Sequence, residues 1–295
     1  MNNKLKGIFA PITTPFTNDD QVDYAGLKRN MERYARSPIQ GYLALGSNGE
    51  NKSLTNEEKI EVLKVIINGK SAQQVVMAGC IFESTVETIY FAQEFAQLGA
   101  DFITLLPPSY FAKQMNDAVL IKYFTDVASA VNAPCLVYCA PQFSAGITLS
   151  VNVVKEIAKH PNIVGLKDSS TGNIDKYLMA VDPDFAVMAG SANFLFNAVL
   201  MGATGGVISL ANIFPELVTE HYQYIGDADL AKGIELNKKV LRLNKSVSGK
   251  GGVAGVKAAM DLADWVGGAP RLPLLPLKAE DVDILKATLR DEGMI

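Results

Sequence analysis

Lys167 stands where a lysine could act as a nucleophile. It closes the apolar run Ile163-Val164-Gly165-Leu166-Lys167 and is followed at once by Asp168-Ser169-Ser170. A short apolar run ending in a polar cluster reads as a buried strand reaching its exit. An ammonium held there is partly desolvated, which lowers its pKa and arms the neutral amine against a ketone. A solvated lysine at a strand end has the same local sequence. Tyr138 ends the preceding run, Cys135-Leu136-Val137-Tyr138. If those two runs are neighbouring strands, phenol and amine approach each other and the phenol can relay protons. A core tyrosine with a satisfied hydroxyl is the structural alternative. The segment Gly46-Ser47-Asn48-Gly49-Glu50 follows a third run. Its backbone N–H groups could cradle a carboxylate, or it could be an ordinary turn.

Other chemistries are poorly supplied. His160 precedes Pro161, and His221 lies in a polar helical stretch. Neither has a second histidine or a cysteine at ligand spacing, so no metal site is expected. The same scarcity disfavours a Ser-His-Asp or Cys-His nucleophile. The segment Lys250-Gly251-Gly252-Val253-Ala254-Gly255-Val256 has the glycines of a phosphate loop. It follows a helical pattern rather than a strand and lacks the Lys-Ser/Thr ending, so it reads as a turn between helices.

The elements that must hold these residues have a regular rhythm. Eight apolar runs recur: Gly7–Ala10, Gly41–Leu45, Val75–Gly79, Phe102–Leu106, Cys135–Tyr138, Ile163–Lys167, Phe185–Ala189 and Gly205–Ser209. They are continuous rather than alternating, as in parallel strands covered on both faces. Helical patterns lie between them. Thr55 with Glu58 and Ser84 with Glu87 are capping-box signatures, and Gly99 punctuates the end of a helix. Eight β-α units predict an α/β fold, a (β/α)8 TIM barrel, which typically takes ~250 residues. The expected division is a barrel over residues 1–225 and a small C-terminal helical appendage over 226–295. An open doubly wound sheet would need a glycine-rich loop after the first strand, where the chain has Pro11-Ile12-Thr13-Thr14-Pro15. In a barrel the chemistry sits at the carboxyl ends of the strands. Those exits carry Thr13-Thr14, Ser47-Asn48, Ser109-Tyr110, Tyr138, Lys167, Gly190-Ser191 and Ile208-Ser209.

The whole-chain balance agrees with a soluble enzyme. The 295 residues are 48% hydrophobic and 20% charged, enough for a sizeable core. Net charge is −4, and no Lys/Arg-rich run offers a footprint for nucleic acid or an anionic membrane. No apolar stretch approaches the ~20 residues that span a bilayer. Three cysteines, an odd count in apolar segments, suggest reduced thiols. No signal-peptide core precedes Gly7, so a cytoplasmic location is expected.

Taken together, the exits resemble the dihydrodipicolinate synthase / N-acetylneuraminate lyase family of Schiff-base-forming pyruvate aldolases. The matching segments are Gly46–Glu50, Tyr138-Cys139-Ala140-Pro141, Gly165–Ser169, Ala189-Gly190-Ser191 and Gly202–Ile208. Their order and spacing carry the likeness, nearly end to end. The resemblance implies that Lys167 forms an imine with a 2-oxo acid and that Tyr138 shuttles protons. It implies that Ser47 and Asn48 hold the substrate carboxylate, with Ser47 linking Tyr138 to Tyr110. Tyr110 would reach in from a neighbouring subunit of a homotetramer, a dimer of dimers, with no cofactor. Ser169, Gly190, Ile208 and Phe143 complete the expected substrate-binding set with Asn48.

The branch of the family is set by departures. The synthases of lysine biosynthesis carry an arginine in the loop after the active-site tyrosine. Here that loop reads Gln142-Phe143-Ser144-Ala145-Gly146, one residue longer and without arginine. Those synthases also have two threonines where this chain has Ser47-Asn48. The pattern is closer to the 4-hydroxy-2-oxoglutarate aldolase branch. The implied reaction is cleavage of a 4-hydroxy-2-oxo acid, 4-hydroxy-2-oxoglutarate or a 2-keto-3-deoxy sugar acid, to pyruvate and an aldehyde. Dihydrodipicolinate synthesis, loss of a 3-hydroxyl, a non-catalytic 2-oxo acid binding barrel and a phosphosugar-binding barrel are the alternatives.

Overall fold

All eight apolar runs are strands, and they close into a barrel. In the computed structural model, which describes residues 3–226, 229–249 and 251–295, the strands are β1 (Gly7–Pro11), β2 (Gly41–Ala44), β3 (Val75–Cys80) and β4 (Phe102–Leu105). They continue as β5 (Cys135–Cys139), β6 (Ile163–Asp168), β7 (Ala186–Ala189) and β8 (Gly205–Val207). Each pairs in parallel with the next, and β8 returns to β1. Closure depends on glycine. Gly205 has φ +154, and a Cβ there would stand 1.9 Å from the Gly7 carbonyl oxygen. No side chain fits that seam.

Helices cover the barrel between strands: α1 (Tyr24–Tyr34), α2 (Asn56–Gly69), α3 (Thr85–Gln97), α4 (Asp117–Ala130), α5 (Val151–Ile157), α6 (Ile174–Ala180), α7 (Ala192–Leu200) and α8 (Pro215–Gly226). The Thr55–Glu58 capping box is complete, with the Glu58 N–H donating to Thr55 Oγ1 and the Thr55 N–H to Glu58 Oε2. Ser84 accepts from the Glu87 N–H at the start of α3. Gly99 follows that helix at φ +105, the left-handed stop expected of it.

Two apolar layers result. Leu43, Met77, Phe102, Leu136 and Met188 fill the barrel's interior, and Leu5 joins them. Their strand neighbours, such as Val137, Leu166 and Val187, pack outward under the helices. Above the inner layer lies a small group: Ile81, Leu106, Tyr138 and Ala140. Leu136 and Tyr138 are therefore inward on β5, with Val137 outward between them.

Past β8 the described residues form helices and no strand. After α8 come α9 (Leu230–Asn244), a π-helical turn at Lys245–Gly249, α10 (Gly252–Leu262) and α11 (Ala279–Asp291). Gly251 caps α10, so the glycine-rich segment joins two helical stretches; Lys250 lies outside the described residues. The segment after α10 docks on α1. Trp265 stacks on Tyr34 at 4.3 Å, and its indole N–H donates to the Ile213 carbonyl. No helix among the described residues is long and apolar enough to cross a membrane.

Candidate active site

Tyr138 and Lys167 are register partners across the β5–β6 pair. Alternation along each strand sends both side chains into the barrel mouth, where both are buried. The Lys167 Nζ lies 3.9 Å from the centroid of the Tyr138 ring. The ring's negative face attracts the ammonium and holds the amine beside the phenol. Among the described residues no carboxylate pairs with Lys167. Asp168, next in sequence, points the other way. Its Oδ1 accepts from the Ser170 N–H and hydroxyl. Burial raises its pKa, opposed by those bonds. A buried lysine without a counter-ion is costly unless a ligand completes it, so the site suits an anionic substrate that an amine can attack.

A cavity of about 600 Å3 opens above this pair, within the range of ordinary small-molecule sites. Ser47 and Asn48 reach it from the turn after β2. That turn is fixed by the Glu50 N–H donating to the Ser47 carbonyl (3.1 Å) and by the Thr14 hydroxyl donating to the Gly49 carbonyl (2.8 Å). The Asn48 amide donates to Ser209 Oγ at 2.9 Å, spanning the mouth from β2 to β8. Ser169 and Gly190 also line it. The exits of β6 and β7 are sewn together there, since the Gly190 N–H donates to the Asp168 carbonyl and a Cβ on Gly190 would meet Ser169 Oγ at 1.9 Å. Phe143, on a short 3-10 turn after β5, is half exposed and lines the outer cavity with Gln142. Among the described residues Lys167 is the one charged side chain in the lining.

Two expected site residues are not brought to the cavity. Ile208 is fully buried in the helix-facing layer, and its neighbours Val207 and Ser209 line the cavity instead. The reason is phase: successive side chains leaving a strand alternate in direction. Tyr110 is absent from the lining and 80% exposed. Its N–H and that of Ser109 donate to the Glu83 carboxylate, and its ring meets Phe111 edge-on.

Other residues line the cavity that the strand exits did not announce. Thr171, Asn193 and Phe194 follow β6 and β7. Ser248, Gly251–Ala254 and Val256 come from the π-turn and the start of α10, and Leu274-Leu275 from the chain beyond it. The signal for the second group was the glycine run itself, which lets the backbone of a helix start approach a ligand closely. The histidines stand apart. His160 bonds Ser129 and Asn162, and His221 is buried on α8. Among the described residues no group of three or more His, Cys, Asp or Glu side chains could hold a metal ion.

Comparison with known proteins places this arrangement. The sequence pattern of the dihydrodipicolinate synthetase family matches residues 4–292. The 4-hydroxy-tetrahydrodipicolinate synthase of Methanosphaerula palustris is 32% identical over 292 residues, covering 97% of this chain and 98% of its own. A protein of Emericella nidulans named probable 4-hydroxy-2-oxoglutarate aldolase, mitochondrial, is 29% identical over 288 residues, 96% of this chain and 93% of its own. Among solved structures, a prophage protein of the dihydrodipicolinic acid synthase family from E. coli, in complex with pyruvate, matches with a TM-score of 0.91. It is 27% identical and covers 98% of this chain and 99% of its own.

Proposed function

Because this chain belongs to the dihydrodipicolinate synthetase family, whose members are pyruvate-dependent lyases working through a lysine imine, we propose that it cleaves a 4-hydroxy-2-oxo acid to pyruvate and an aldehyde. The observation that carries the reading is the buried Lys167 amine over the Tyr138 ring. In this reading the Lys167 amine adds to the C2 ketone and water leaves, giving a protonated imine. That imine accepts the electron pair of the C3–C4 bond as it breaks, so C3 becomes part of an enamine. The C4 hydroxyl proton passes to Tyr138, which relays a proton onward through Ser47. Protonation of the enamine at C3 and hydrolysis of the imine release pyruvate and free the lysine. Ser47 and Asn48 hold the substrate carboxylate, and Ser169 and Gly190 bound its other side.

Condensation of pyruvate with aspartate semialdehyde is the second reading, favoured by the names of relatives such as that of Methanosphaerula palustris. Against it stands a lining in which Gln142 and Phe143 occupy the loop after Tyr138 and no arginine appears among the described residues. A carboxylate on the second substrate is best held by a bidentate guanidinium. The exposed Tyr110, outside its own chain's cavity, suits a homotetramer in which it serves a second copy. The three free, buried thiols of Cys80, Cys135 and Cys139 suit a cytoplasmic enzyme.

Borohydride reduction in the presence of pyruvate tests the reading. A stable adduct on Lys167 is expected by peptide mass spectrometry, with Lys167→Ala inactive toward 4-hydroxy-2-oxo acids. An unmodified Lys167, or a fully active Lys167→Ala enzyme, refutes it. An adduct without turnover of any aldol substrate leaves only a 2-oxo acid binding barrel.

A further inference from the structure

The turn that offers Ser47 and Asn48 to the cavity is bracketed by two non-glycine residues in the left-handed region, Leu45 at φ 55 and Glu50 at φ 52. Such conformations persist only where the surroundings impose them. At the Leu45 end the Asn51 amide donates to the Leu45 carbonyl at 2.9 Å. At the other end the partners come from more than two hundred residues away. The Glu50 carboxylate faces the Lys257 ammonium at 2.5 Å, with the two side chains 1% and 0% exposed. Its second oxygen accepts from the Arg271 N–H at 2.9 Å. Lys257, on α10, also donates to the Ala269 carbonyl at 3.0 Å and lies over the Phe16 ring. The Arg271 guanidinium forks onto Glu58, at 2.7 and 2.8 Å.

Glu50 and Lys257 do not line the cavity, yet each is attached to a segment that does. Glu50 closes the Ser47-Asn48 turn. Lys257 follows Val256 on the helix whose first turns wall the cavity, and Arg271 leads into Leu274-Leu275 at its rim. A charge in the interior is tolerated only when its partner is in place, so the pair sets where α10 and the turn sit relative to each other. We propose that Glu50 and Lys257 are positioning residues, a clamp by which the C-terminal helices hold the carboxylate-binding turn of Ser47 and Asn48 in register with Lys167. The inference rests on the proposed role of that turn in binding the 2-oxo acid.

The test separates positioning from plain stability. Removing one partner strands a buried charge, so the informative variant is the double one, Glu50→Gln with Lys257→Met, which leaves no charge uncompensated. Imine formation is titrated by borohydride trapping over a range of pyruvate concentrations, beside Tm and steady-state kinetics. The double variant should keep a Tm close to wild type and still trap Lys167 fully at saturation. Its half-saturating pyruvate should rise about tenfold or more, the scale of one lost charge-assisted hydrogen bond to a carboxylate. KM should rise more than kcat falls. Glu50→Asp, which keeps the charge and shortens its reach, should show a smaller rise in the same direction and carries the test if the double variant does not fold. An unchanged midpoint in folded variants overturns the clamp and leaves the site reading intact. Wild-type protein that is never modified overturns both.

Discussion

His221 gives a pH test of the packing that leaves the chemistry untouched. It is fully buried on α8, with its ring stacked on Phe196 at 5.8 Å and 15° between planes. Among the described residues neither ring nitrogen has a hydrogen-bond partner. Burial pushes its pKa down from 6.5 to about 4. Between those values the unfolded chain binds a proton that the folded chain refuses. The contribution is therefore fully present above the unfolded pKa and is lost as pH falls toward the folded one. Between pH 7 and pH 4 that difference in proton binding amounts to ~3 kcal/mol. His221→Phe keeps a flat ring on Phe196 and removes the titration. Other groups titrate in the same acid range. Hydrogen bonding to Arg271 lowers the Glu58 pKa, while burial raises that of Asp168. They are common to both proteins and cancel in the difference. For a chain of this size ~1 kcal/mol corresponds to about 2 °C in Tm. Thermal melts of both proteins at pH 7 and pH 4 should then show the wild type losing ~6 °C relative to the variant. A difference in Tm that stays flat across that range would refute the claim that His221 is held neutral by burial.

Two predictions concern the reaction. Tyr138→Phe keeps the ring beside the Lys167 amine and deletes the hydroxyl; kcat should fall about 10²–10⁴-fold with Tm and the pyruvate adduct on Lys167 preserved, and an unchanged kcat removes Tyr138 from the proton path. In side-by-side kinetics, kcat/KM for 4-hydroxy-2-oxoglutarate or a 2-keto-3-deoxy acid should exceed that for pyruvate with aspartate semialdehyde by one to two decades. The missing guanidinium contact is worth roughly 1.5–3 kcal/mol; a win for the semialdehyde pair refutes the choice of branch.

The barrel was legible because each strand is buried on both faces and so reads as an unbroken apolar run. The same continuity hides which way each residue points. On β6 the phase is visible, since a lysine among apolar residues marks the side that faces the cavity. On β8 the run Gly205–Ser209 has no such mark before Ser209, so the pattern does not show that the Ile208 side chain belongs to the helix layer. Tyr138 and Lys167 could be placed together because adjacent β-α units put consecutive strands side by side, and the observed register pairs them. For the walls from α10 and Leu274-Leu275 the glycine run marks a close backbone approach but not what it approaches. Their approach is decided by tertiary contacts such as Trp265 on Tyr34 and Lys257 on Glu50, between residues too distant in sequence for any local pattern to connect.

That contrast follows the division of labour in the molecule. The amine and the phenol sit on paired strands, where backbone hydrogen bonds fix both positions and little freedom remains. In the proposed mechanism an imine at that place serves cleavage and condensation alike, since the same enamine is formed or consumed in either direction. What distinguishes one aldehyde from another must lie farther out, among groups that touch the part of the substrate beyond C4. In the proposed reading the candidates are the outer lining residues: Gln142 and Phe143 on the turn after β5, Asn193 and Phe194 at the start of α7, and Val253, Ala254, Leu274 and Leu275 from the segments beyond the barrel strands. They stand on loops and helix starts, which can be exchanged without disturbing the register of β5 and β6. Relatives that share about three residues in ten with this chain across its length carry names for different reactions. A fixed reaction centre with a replaceable rim accounts for that, and under the proposed reaction it puts the choice of aldehyde in the residues that the strand pattern could not announce.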